Sequence, residues 1–126
     1  MAAEIVEPSD PISPSHALVR VDVETISETI RRALGLGATR ASRDELAETD
    51  ETLRGHVTLL LSDIRETASR QLHSFETQQL TRRLDRIKQH LAHPFGQGPL
   101  TADAEVHQRA RDCQWLLAYY TAEARR

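Results

Sequence analysis

The residues best equipped for chemistry are six histidines, a single cysteine and a basic complement that is arginine except for Lys88. Arg54 and His56 flank Gly55, and an arginine beside a histidine is a pairing that holds a carboxylate or phosphate. Ordinary ion pairs at a surface or rim are the commoner use of such residues. Trp115 and Tyr119 are four apart, so on a helix they share a face, with Tyr120 beside them. Such an aromatic pair suits a partner interface or a flat ligand, although capping the end of a core is the commoner use of such aromatics. With Arg111 one turn before Trp115, the candidate ligand-binding set is Arg54, His56, Arg111, Trp115 and Tyr119.

The remaining constellations are weaker. Di-iron bundles need Glu-x-x-His pairs. Here Leu53, Arg70, His90 and Ala104 stand three residues before His56, His73, His93 and His107. His90 with His93, and Asp103 with His107, are two-ligand fragments and not complete sites. Last-turn histidines also complement a helix dipole without any metal. No metal and no cofactor is expected. Cys113 falls on an apolar stripe, where a thiol is buried and inert. Nucleophile elbows, phosphate loops and Cys-x-x-Cys pairs are absent, so no catalytic signature is present.

These residues ride on helical patterns. Asp22 is a good N-cap for a first helix running to about Leu34, with Val23, Ile26, Ile30, Ala33 and Leu34 as its stripe and Gly35 and Gly37 as its stop. Ser42 and Glu45 form a capping box that opens a second helix. Leu46, Leu53, Val57, Leu60, Leu61, Ile64 and Ala68 lie on its buried face, and the pattern extends as far as Leu72 before a break near His73 and Ser74. A third helix carries Leu80, Leu84, Ile87 and Leu91. Pro94, Gly96, Gly98 and Pro99 make the following loop. Thr101 caps a fourth helix with Val106, Ala110, Cys113, Leu117 and Tyr120 on its stripe. Gly55 inside the second helix costs about 1 kcal/mol relative to alanine. Either another backbone or a ligand approaches there, or the position is a slight kink facing solvent.

The composition fits this pattern. The chain has 126 residues, 39% hydrophobic and only 4% aromatic, so one domain with an aliphatic core is expected. No strand alternation or hairpin signal appears. The predicted fold is all-α: an antiparallel up-down bundle of four helices, the first short and with the alternative role of an arm completing a neighbour's core in a dimer. Residues 1–20, rich in proline and serine, are predicted to be a disordered tail, and residues 21–126 a single domain. The net charge of −3 with interleaved signs argues against nucleic acid. No apolar run approaches the roughly 18 residues of a membrane span. The acidic N-terminus argues against a secretory leader, and the lone cysteine fits a reducing cytoplasm.

Leu53, Arg54, Gly55, His56, Leu59, Leu60, Asp63 and Ile64 resemble a motif of small actinobacterial proteins described as natural-product-biosynthesis proteins of unknown function. In that family a proline is common where Ser62 stands. Ala110, Arg111, Gln114, Leu116 and Tyr120 are similar to its C-terminal helix, whereas Ala118 and Tyr119 replace an Asp-His pair. The resemblance implies a helical cytoplasmic protein of secondary-metabolite producers and supplies no reaction. The expected function is a small accessory or interaction protein, self-associating or bound to a protein partner. The alternative is a small-molecule binder or small helical enzyme acting on an anionic metabolite, with Arg54, Arg82, Arg86 and Arg111 converging on one cavity. A DNA-binding regulator would have to use the run from Arg82 to Lys88, which reads better as the solvated face of a bundle helix.

Overall fold

The computed structural model describes residues 21–36, 41–70 and 75–124. The regular elements among them are all helices: α1 (Val23–Gly35), α2 (Arg43–Ala68), α3 (Phe75–Leu91) and α4 (Ala102–Ala124). They pack on one another as an all-α bundle. The tail expected over residues 1–20, Gly37 as part of the first stop signal, and the break at His73 and Ser74 lie outside the described residues.

Local chemistry sets the helix ends. The Asp22 carboxylate accepts from the Thr25 amide at 3.1 Å and from the Thr25 hydroxyl at 2.7 Å, which also pulls its pKa below the ordinary carboxylate value. The capping box is complete: Ser42 Oγ accepts from the Glu45 amide, and Glu45 Oε1 accepts from the Ser42 amide, both at 3.1 Å. Thr101 Oγ1 accepts from the Ala104 amide at 3.2 Å to open α4. Two stops differ from expectation. Gly35 is still helical, and α1 closes at Leu36 in right-handed conformation with its N–H on the Ala33 and Arg32 carbonyls. α2 ends at Ala68, short of Leu72, where the Ser69 hydroxyl donates to the Glu66 carbonyl at 2.8 Å and competes with helix continuation.

The core is built around α2. Leu53, Val57 and Leu60 are fully buried, and Ala110, Cys113 and Leu116 of α4 meet them with no exposed surface. Burying each large aliphatic side chain contributes about 1.5–3 kcal/mol. α2 and α4 pack most extensively, and α1 lies mainly on α4 through Ile26, Ile30 and Ala33. α1 therefore packs onto its own chain's core. Val23, expected on its stripe, is substantially exposed. α3 leans on α2 through Leu80, Leu84 and Ile87, and its backbone comes close to that of α4 at few points. That separation opens a groove. Gly55 proves to be a solvent-facing position, with open space where a Cβ would stand, so no close approach explains it.

Candidate functional site

The candidate residues divide between a buried charge cluster, a half-buried histidine and an open groove. In the cluster, Asp50 lies in the core on the Leu46–Leu53 stripe and is only 1% exposed. Its carboxylate accepts from Arg54 Nε at 2.6 Å and from Arg109 Nε at 3.1 Å. Both arginines then reach the end of α3, where the last carbonyls of a helix lack intrahelical partners. Arg54 Nη1 donates to the Leu91 carbonyl at 2.7 Å and Nη2 to the His93 carbonyl, while Arg109 Nη1 donates to the His90 carbonyl at 3.1 Å. Glu105 completes the charge balance, 3.9 Å from Arg54 Nη2 and 3.5 Å from Arg109 Nη2. Its other oxygen accepts from the Gly96 amide at 3.0 Å. Two carboxylates and two guanidiniums are thus neutralised together, and the work they do is to fasten the α3 end and its loop to α2 and α4.

The loop is shaped to be held. Gln97 donates to the Pro94 carbonyl at 3.2 Å, so Gly96 occupies the third turn position. Its φ of +84° is one that L side chains rarely adopt, and an added Cβ would also strike the Arg43 guanidinium. Arg43 in turn lies over the Phe95 ring, 5.5 Å from its centroid.

His56 is remote from this cluster's hydrogen bonds. Its Nε2 is 3.2 Å from the buried Thr29 hydroxyl, which already donates to the Thr25 carbonyl at 3.0 Å. The imidazole must therefore be the donor in this contact. Burial lowers the His56 pKa from 6.5, against a smaller opposing pull from the Asp22 charge. A neutral ring donating to a threonine secures α1 to α2 and offers no positive charge to an anion. His90 donates from Nδ1 to the buried Asp112 at 2.8 Å, and Gln108 holds the other Asp112 oxygen at 3.1 Å. A carboxylate-oriented imidazole resembles a general base. However, Cys113, the adjacent thiol, is fully buried and its pKa is pushed up to about 12, mainly by burial. No group of three or more metal-ligating side chains occurs among the described residues.

The groove lies between α3 and α4 and encloses about 590 Å³. Trp115 and Tyr119 form its α4 side, stacked with centroids 5.7 Å apart and planes inclined by 21°. Arg83 of α3 lies over the Trp115 ring at 4.6 Å. Arg82 and Arg86 line the α3 side, and Phe75 stands at one end, 70% exposed. Of the expected set, Trp115 and Tyr119 come together here. Arg54 and His56 belong to the two structural contacts above, and Arg111 is exposed on α4 without lining the groove. The residues missed were Arg83 as the partner of Trp115 and the buried Asp50, Glu105, Arg109 and Asp112. A signal for the last four was present: Glu105, Arg109, Asp112 and Leu116 run at steps of four, three and four beside the apolar stripe of α4.

The groove between α2 and α3 is larger, about 720 Å³; it shares Arg82 with the first groove, has no aromatic in its lining, and its other arginine, Arg65, is already paired with Asp85 at 2.6 Å. No helix among the described residues is long and apolar enough to cross a membrane. No curated protein and no solved structure shows significant similarity to the chain. The model of a family of unknown function (DUF6415) matches residues 24–125, from the first turn of α1 past the end of α4, and the chain belongs to that family.

Proposed function

We propose that this protein is a small helical accessory protein that acts by binding, with the α3/α4 groove as its contact surface, in the cytoplasm of a bacterium that makes natural products. The observation that carries the reading is the grouping of Trp115, Tyr119, Arg82, Arg83 and Arg86 along one open groove. Tryptophan, tyrosine and arginine are the residue types that dominate binding energy at protein interfaces. The natural-product setting is inferred from the resemblance of the Leu53–Ile64 stretch. The alternative, an enzyme or binder for an anionic metabolite, needed Arg54, Arg82, Arg86 and Arg111 in one cavity. Arg82 and Arg86 share the groove, whereas Arg54 is committed to Asp50 and to carbonyls at the end of α3. The test is the exchange Arg82→Glu with Arg86→Glu in the native host, followed by mass-spectrometric profiling of secondary metabolites. An altered profile with undiminished protein level is expected; an unchanged profile would rule the reading out.

A further inference from the structure

We infer that the α3/α4 groove docks an acidic, amphipathic segment of a partner protein. This rests on the groove being the contact surface. Three observations specify the occupant.

The first is unmatched charge. Arg31, Arg65 and Arg70 each have an acidic partner: Glu28, Asp85 and Glu66. Arg82 and Arg86 are exposed and form no ion pair among the described residues. Asp85, their acidic neighbour on α3, is turned to Arg65 of α2. A protein of net charge −3 thus gathers Arg82, Arg83 and Arg86 in one groove whose lining holds a single acid, Glu76, and such a net basic lining steers and orients an acidic partner.

The second is length. The lining of α3 runs from Phe75 to Arg86. Eleven residues at 1.5 Å each span about 16 Å, three helical turns. A one-ring metabolite would reach only part of that strip, whereas a few turns of helix or a short extended peptide would cover it. Arg82 and Arg86 are one turn apart, so carboxylates three or four residues apart on a docked helix would meet both.

The third is the apolar footing. Phe75 is the most exposed large hydrophobic residue among those described, and it lies at one end of the groove. An occupant therefore needs an apolar side chain for Phe75 as well as acids for Arg82 and Arg86. Arg83 and Tyr119 already engage the Trp115 ring, which disfavours base stacking and hence a single-stranded nucleic acid.

Trp115 is the only tryptophan, so its emission reports on the groove. The experiment selects a displayed random-peptide library on the full-length protein and titrates the enriched peptides against Trp115 emission, for the native protein and for Arg82→Glu/Arg86→Glu. Inorganic phosphate, benzoate, oligothymidylate and increasing protein concentration are run as further arms. The expected result is enrichment of Asp/Glu-rich peptides with an aromatic or aliphatic anchor. Their affinity should fall at least about tenfold in the charge-reversed protein and fall again with salt, while the circular dichroism and melting temperature of the variant stay native. Peptides without acidic bias, or binding that survives charge reversal, would overturn the inference. So would an emission shift, lost in the variant, produced only by the small anions, the oligonucleotide or a second copy of the chain; the groove would then remain a binding surface with a different occupant. If no arm shifts the emission, the groove reading falls as well.

Discussion

The chain uses arginine in two opposite ways. At the end of α3, Arg54 and Arg109 are charge-matched by Asp50 and Glu105 and donate to main-chain carbonyls, with Arg109 Nη2 buried, 3.5 Å from Glu105 and making no hydrogen bond. Along the middle of α3, Arg82 and Arg86 line an open groove and form no ion pair among the described residues, although Glu76 lies in the same lining. Buried guanidiniums must be matched inside the protein, because an unpaired internal charge costs several kcal/mol. Exposed ones are solvated and bear no such constraint. Guanidinium groups alone therefore identify neither a site nor a strut; their partners do.

The largest break in this comparison is Asp50→Ala. It leaves the Arg54 and Arg109 guanidiniums without their shared carboxylate, Arg109 being 3% exposed. A loss of about 3–5 kcal/mol is expected in urea unfolding, and a change under about 1 kcal/mol would show that the cluster does not hold the fold. Next comes Gly55→Ala, beside Arg54 but facing solvent with free space for the methyl group. It should stabilise by about 1 kcal/mol through helix propensity and a less flexible unfolded chain; destabilisation would mean that something does approach that position.

The third prediction concerns pH. The folded state disfavours protonated His56, whose pKa lies below 6.5. Just below pH 6.5 the unfolded chain therefore takes up more protons. Stability should fall as pH drops through that window and be fully present above it. His56→Gln keeps a donor for Thr29 and removes the titration, so the melting temperature of the variant should depend less on pH there. Identical pH slopes would remove His56 from the account. The smallest effect is expected at the other pole of the comparison. Arg82→Gln with Arg86→Gln should change unfolding free energy by less than about 0.5 kcal/mol; a large loss would make these arginines structural after all.

The helices were legible because the apolar residues recur at three and four, and because Asp22, Ser42–Glu45 and Thr101 cap in the expected way. Trp115 and Tyr119 were legible as a pair because four residues make nearly one turn. Arg83 was not, because its meeting with Trp115 depends on how α3 sits against α4, which no local pattern encodes. Arg54 misled for a related reason: its neighbour His56 is next in sequence but serves Thr29 of α1, while its true partners are Asp50 one turn back and carbonyls near residue 91. Sequence proximity suggested a shared task that helical geometry divides.

The carbonyl contacts made by Arg54 and Arg109 have one more consequence. Helix termini ordinarily fray, and their amides exchange with solvent deuterium through small local openings. The last turn of α3 is held from outside, by side chains rooted in α2 and α4. Its amide protons should therefore be among the slowest in that helix to exchange, released when the whole domain opens rather than when the end loosens.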